Sequence, residues 1–379
     1  MRIGNLYGPD ATFLGVPSAD PDRGGEWSSA GAAIIGAPFD GGTSHRPGCR
    51  FGPQAIRTTD YLPHDGMRPS LALGVDPLIE LGVVDLGDVE MPSGETERSL
   101  RRLEERVTEV AAAGVVPVIL GGDHTIALPD VTGVAHHVGW GRVSVIHFDA
   151  HADTGDTQMG SLYGHGTPMR RLIESGACRG DRFLQIGLRG YWPEPATLRW
   201  MADQGMRSFE MGEIVARGLE DVLTEALEIS LTDCDAVFLS VDVDVVDPGS
   251  APGTGTPEPG GLSSRQLLDA VRRIAMEAPL VASTSWRSPR PTTTPRSRPT
   301  SGTASSSRRS AASRGGARAC AAKRRAAPRT RCSSRQSRIE SRIRTTSSSV
   351  VLGCRKASRP TVSPSHLVGV TKATWSASS

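Results

Sequence analysis

Short apolar runs alternate with longer amphipathic stretches over the first three quarters of the chain. Residues 32–36, 78–84, 115–120, 143–148, 182–187 and 236–241 are rich in aliphatic or β-branched side chains and are flanked by Gly, Pro, Asp or Asn-like turn formers. Runs of this length between turn formers predict buried strands. Between them, residues 96–113 place Leu100, Leu103, Val107, Val110 and Ala111 at helical spacing, with Arg and Glu on the other face and Gly114 at the expected C-cap. Further helices are predicted from Thr167 or Pro168 to Gly176, over 219–231, and over 263–277 with Ser263 or Ser264 as N-cap. Strands alternating with helices predict an α/β fold: a mostly parallel sheet covered on both faces.

Two segments break this rhythm. Residues 1–30 carry Gly, Pro and Asp without periodicity and read as an N-terminal arm over a domain spanning 31–282. Leu280-Val281-Ala282 opens another apolar run that stops at Ser283. From there to the end, Ser, Arg, Thr, Pro and Ala dominate. Residues 283–379 hold 21 of the 43 Lys and Arg but one of the 41 acids, Glu340, leaving 22 basic and 40 acidic residues in 1–282. The net charge of +2 therefore hides an acidic body and a basic tail. A tail of this composition cannot bury enough apolar surface to offset its ordering entropy, which predicts disorder. Few aromatic side chains accompany its charges, so nucleic acid is not the expected partner. No run approaches 18 apolar residues, so no membrane span is predicted. Six cysteines without a Cys-x-x-Cys pair, three of them in the body, point to reduced thiols and the cytoplasm.

The chemistry sits at the ends of three of the apolar runs. Residues 143–148 lead into Asp149-Ala150-His151-Ala152-Asp153, in which alternate side chains of an extended chain share a face. Residues 115–120 lead into Gly121-Gly122-Asp123-His124, and residues 236–241 into Asp242, Asp244 and Asp247-Pro248. Gathering that many carboxylates at one end of a sheet is very costly without cations. Oxygen and imidazole donors together suit a divalent ion of intermediate hardness, manganese more than a thiolate-loving ion. Gly164-His165-Gly166-Thr167 adds one more histidine beside a helix start, where spacing alone does not separate a functional group from an ordinary one.

Gly-Gly-Asp-His, Asp-Ala-His-Ala-Asp and Ser-Val-Asp-Val-Asp-Val-Val-Asp-Pro resemble, in order and spacing, the motifs of the ureohydrolases: arginase, agmatinase and their guanidino-acid relatives. The resemblance covers roughly residues 30–282 and is strongest to agmatinase. It implies a three-layer α/β/α fold with a central sheet of about eight strands, and two Mn(2+) ions. His124, Asp149, Asp153 and Asp242 would hold one ion, and Asp149, His151, Asp242 and Asp244 the other, with Asp149 and Asp242 bridging. It implies catalytic roles for Asp153, which would take a proton from the attacking water, and for His165, which would relay one to the leaving amine. A loop like that at residues 37–57 borders the site's mouth in agmatinase-like enzymes. The implied activity is hydrolysis of a small guanidino compound, first of all agmatine, to urea and an amine; a guanidino acid such as 4-guanidinobutyrate is the alternative. A homo-oligomer, trimer or hexamer, is implied if the C-terminus is intact.

The tail qualifies these expectations. Residues 283–297 can be written in codons and re-read one base earlier; one consistent choice of codons gives Asp-Ile-Val-Glu-Val-Ser-Pro-Pro-Tyr-Asp-His-Ala-Glu-Ile, which continues the strand opened at Leu280 and resembles the family's next motif. That motif's glutamate contacts the guanidinium, and its codon here would straddle Trp286 and Arg287. The tail thus reads as out of frame, with the last strands of the sheet expected to be lost and the chain expected to be poorly soluble. A protein that binds metal without catalysis is the competing expectation.

Overall fold

The computed structural model describes residues 11–59, 69–191 and 193–286. Eight strands form one sheet: β1 (Ala32–Gly36), β2 (Val84–Asp88), β3 (Val116–Gly121), β4 (Val143–Phe148), β5 (Phe183–Leu188), β6 (Arg207–Glu210), β7 (Ala236–Val241) and β8 (Leu280–Trp286). Their order is β2-β1-β3-β8-β7-β4-β5-β6, and every pairing is parallel. The connecting helices are α1 (Gly52–Arg57), α2 (Pro77–Leu81), α3 (Thr96–Ala112), α4 (Ala127–Val138), α5 (Pro168–Ser175), α6 (Pro195–Asp203), α7 (Met211–Arg217), α8 (Leu219–Ser230) and α9 (Ser264–Glu277).

Alternation along each strand divides the core. On β4, Val143 and Val145 face a cluster built with Leu103, Val107 and Val110 of α3 and Val131 and Val134 of α4. Ile146 and Phe148 face the opposite cluster, with Leu223 and Ala226 of α8 and Leu267 and Ile274 of α9. The result is three layers, α/β/α. Leu103, Val107 and Val110 are fully buried, and removing a Leu side chain such as that of Leu103 from this interface costs about 2–5 kcal/mol. The arm packs along β2: Phe13, Val16 and Trp27 are buried, and Asp85 accepts from Phe13 N–H through its side chain at 2.8 Å. The buried Arg57 of α1 pairs with Asp85 and Asp88, fixing α1 to the same edge.

Two expectations need correction. Residues 78–84 do not form a strand. Asp76 accepts hydrogen bonds from Leu78 and Ile79 N–H, Pro77 takes the first turn, and Gly82 closes the helix at φ +62°, so α2 occupies most of that stretch and β2 starts only at Val84. The capping chemistry on both sides outweighs the apolar run. The final strand is also not lost. β8 continues through Trp286 and pairs with both β3 and β7, filling the middle of the sheet rather than leaving an open edge. Backbone hydrogen bonding is indifferent to side-chain identity, so Ser283 and Thr284 extend the ladder that Leu280 begins. The expectations for the basic tail from Arg287 onward lie outside the described residues.

Candidate active site

All strands being parallel, their C-terminal ends open on one side of the sheet, where α/β folds bind ligands. β3, β7 and β4 end there around β8, and each delivers one of the three motifs. Beyond Phe148 the chain leaves the sheet. The shared face expected of Asp149, His151 and Asp153 is therefore produced by a turn, with Asp153 at φ +52°. Aspartate tolerates this left-handed conformation better than most residues, at a cost of order 1 kcal/mol. The turn splits the motif: Asp153 faces His124, while His151 faces Asp244.

His124 Nδ1 lies 2.9 Å from Asp149 Oδ2, 2.8 Å from Asp153 Oδ2 and 3.5 Å from Asp242 Oδ2. Its Nε2 meets Ser240 Oγ at 3.2 Å, which aims Nδ1 at the carboxylates. His151 Nδ1 lies 3.0 Å from Asp244 Oδ2 and 3.5 Å from Asp149 Oδ1. One oxygen of Asp149 thus faces each histidine. Ala150 N–H donates to Asp244 Oδ1 at 3.0 Å, and Asp244 N–H to Asp242 Oδ1 at 2.9 Å, locking the β4 and β7 ends together. The structure brings His124, Asp149, His151, Asp153, Asp242 and Asp244 into one cluster.

The carboxylates and imidazoles of the cluster shift one another's proton affinity. Burial, and then the charges of Asp244 and Asp149, push Asp242 well above the usual carboxylate range. Burial and Asp149 push Asp244 up to about 7. Burial also works against the charge on Asp149, but His147, His124 and His151 hold it well below the ordinary range. On His151, burial is outweighed by Asp149 and Asp244, which push it up to about 12. Carboxylates and imidazoles that favour each other's protons in this way are groups whose protons a divalent cation would displace on binding. The donor set fits divalent ions: ligand atoms of Asp149, His151 and Asp244 lie within 4.8 Å of one another.

His165 stands beside this cluster rather than in it. Ser44 N–H donates to His165 Nε2 at 3.2 Å, and Ser44 Oγ lies 2.6 Å from the same nitrogen. Asp123 holds the Ser44 loop in place, accepting from Gly42 N–H at 2.8 Å. A cavity of about 360 Å³ opens above, lined among others by Ser44, His151, Asp153, His165, Asp242 and Asp244.

A comparison with protein families matches residues 30–285 to the arginase family. The chain belongs to the arginase family. A guanidinobutyrase of Pseudomonas aeruginosa is 36% identical over 267 residues, 70% of this chain and 81% of its own. The mitochondrial agmatinase of Gallus gallus is 40% identical over 243 residues, 64% of this chain and 69% of its own. The crystal structure of Trypanosoma cruzi formiminoglutamase with Mn2+ matches with a TM-score of 0.63 at 26% identity, over 74% of this chain and 90% of that one. This arginase-family chain is a hydrolase of C–N bonds in linear amidines.

Two features of the site escaped sequence reasoning. His147, two residues before Asp149, places Nε2 2.9 Å from Asp149 Oδ2; the alternation that linked Asp149 to His151 runs backward to it as well. Arg189, at the end of β5, donates from Nη2 to the carbonyls of Asp244 at 2.6 Å and Glu258 at 2.7 Å. Nothing local in the sequence marks that contact, which spans 55 residues or more. Among the described residues, no helix is long and apolar enough to cross a membrane.

Proposed function

We propose that this arginase-family hydrolase cleaves agmatine to urea and putrescine with two manganese ions. His124, Asp149, Asp153 and Asp242 would hold one ion, and Asp149, His151, Asp242 and Asp244 the other. The observation that carries the reading is the convergence of these six side chains in one cluster, four of which, His151, Asp153, Asp242 and Asp244, line a cavity sized for a small molecule. Bound, such a pair of cations supplies Lewis-acid activation of water and stabilises negative charge on the reacting centre.

The side chains do the rest. Asp153 faces both the cluster and the cavity, and accepts the proton of the attacking water. His165, held by the Ser44 loop at the cavity wall, delivers a proton to the departing amine. The cavity encloses the guanidinium and keeps bulk water from competing for these groups. Agmatine is favoured as substrate by the charge of the walls. The acids lining the cavity are Asp153, Asp242 and Asp244, and among the described residues no Lys or Arg lines it to meet a substrate carboxylate. The similarity to a guanidinobutyrase supports a second reading, a guanidino acid such as 4-guanidinobutyrate. The thiols of Cys178 and Cys234 fit a reducing, cytoplasmic setting. A homo-oligomer is part of the same proposal, read by light scattering in solution.

Urea release from agmatine, 4-guanidinobutyrate and arginine is the test. Agmatine is expected to give the highest kcat/KM. A higher value for 4-guanidinobutyrate would transfer the assignment to the second reading. Manganese bound without urea from any of the three would mean that the altered C-terminus has left a metal-binding but inactive chain.

A further inference from the structure

Beneath the site, a row of polar side chains crosses the sheet from β6 to β7. Ser208 on β6 is the register partner of Gln185 on β5, Gln185 of His147 on β4, and His147 of Ser240 on β7. Gln185 and His147 are fully buried, and burying polar groups in the middle of a sheet is unfavourable unless each is hydrogen-bonded. The row satisfies that condition in one direction only. Ser208 Oγ donates to Gln185 Oε1 at 3.0 Å, and Gln185 Nε2 donates to the Ala152 carbonyl at 2.7 Å. These two contacts fix which end of the amide is nitrogen. The same Nε2 then faces His147 Nδ1 at 3.4 Å, so Nδ1 accepts and the ring proton sits on Nε2, 2.9 Å from Asp149 Oδ2.

His124, His147 and Asp149 offer ligand atoms close enough together to hold one ion. Both ring nitrogens of His147 are already engaged, however, one by Gln185 and one by Asp149. We propose that His147 is a positioning residue for manganese and not a ligand: Gln185 fixes its tautomer, and its Nε2–H orients the Asp149 carboxylate toward the cations. The inference rests on the metal reading above. The Ala152 contact extends the same control to the turn that carries His151 and Asp153.

The test is manganese binding by the full 379-residue chain, stripped with chelator and titrated while free Mn2+ is followed by electron paramagnetic resonance. His147→Phe removes the donor and keeps the volume; His147→Gln restores an Nε2 donor at the same reach; Gln185→Met removes the amide that sets the tautomer. Loss of a partner to a metal-ligating carboxylate costs roughly tenfold to a hundredfold in affinity, so His147→Phe is expected to weaken binding by that factor, Gln185→Met by about threefold to tenfold, and His147→Gln by no more than about threefold. Binding by His147→Phe as tight as wild type overturns the proposal, as does His147→Gln as weak as His147→Phe. Should His147→Phe fail to fold, Gln185→Met at wild-type affinity overturns it alone. Wild-type binding no tighter than that of Asp149→Asn would instead overturn the metal reading, and this inference with it.

Discussion

Arg189 is the side chain whose loss the geometry prices most clearly. Its Nη2 donates to the Asp244 and Glu258 carbonyls at 2.6 and 2.7 Å, its Nη1 to Gly187 and Val245 at 3.2 and 3.3 Å, and its Nε to Pro259 at 3.1 Å. One guanidinium thereby ties the end of β5 to the loop that carries Asp244 and Glu258. A hydrogen bond from a charged donor is worth about 1.5–3 kcal/mol, so the two short contacts alone amount to about 3–6 kcal/mol. Arg189 is only half-buried and water competes for it, which places the expectation for Arg189→Met at the lower end, about 3 kcal/mol. That is a large share of the 5–15 kcal/mol typical of a domain. Methionine keeps the stem's packing, so the loss reports the donors. Arg189→Lys, with a single ammonium that cannot span the diverging carbonyls, is expected to recover less than half of it. Urea unfolding of the metal-stripped chain measures the effect, and manganese titration shows whether Asp244 moves with its loop. A stability change for Arg189→Met below about 0.5 kcal/mol, the range of ordinary surface substitutions, would refute the reasoning.

The other expectations concern the metal, the turn and the tail. Asp149→Asn and Asp242→Asn should retain less manganese than Asp244→Asn, by metal analysis of the purified variants; equal retention would sink the bridging assignment. Asp244, pushed up to about 7 in the cluster, keeps its proton in the fold between about pH 4 and 7, where the same carboxyl in the unfolded chain is ionised, so the metal-free fold loses stability to the unfolded state across that window. The metal-free chain should therefore lose stability as pH rises through that window, Asp244→Asn should flatten the loss, and manganese affinity should rise with pH as the ion displaces the proton; a pH-independent midpoint in urea would contradict this. A Cβ at Gly122 would lie 1.9 Å from the Phe39 carbonyl oxygen and 2.6 Å from Phe39 N, both backbone atoms. Gly122→Ala is accordingly expected to cost about 3 kcal/mol or more through enforced overpacking, read as a fall in soluble yield and melting temperature. If the tail is out of frame, a chain re-read one base earlier from residue 283 would carry the glutamate expected to face the guanidinium and should exceed the 379-residue chain in kcat/KM by about tenfold to a hundredfold, from the 1.5–3 kcal/mol of one charged hydrogen bond; equal urea release per milligram of soluble protein would sink the frameshift reading. The β8 pairing removes the open-edge reason for expecting poor solubility.

The sequence by itself determined the layered α/β architecture, since period 2 and period 3.6 are local properties of the chain and the runs at 32–36, 143–148 and 236–241 coincide with β1, β4 and β7. It also placed the proposed donors at strand ends, because His124, the Asp149 to Asp153 turn, and Asp242 with Asp244 each follow an apolar run directly. Only the tertiary structure decided how those donors divide. The left-handed turn at Asp153, and not an extended strand, sends Asp153 to His124 and His151 to Asp244. Only the structure put His165 against Ser44, 121 residues away, and lined up Ser208, Gln185 and His147 behind Asp149. Strand order caused these meetings: β8, last in the chain, lies between β3 and β7, and β4 lies beside β7 and β5. Order in a parallel sheet is set by which helices cover which faces across the whole domain, and no local window of sequence contains that information.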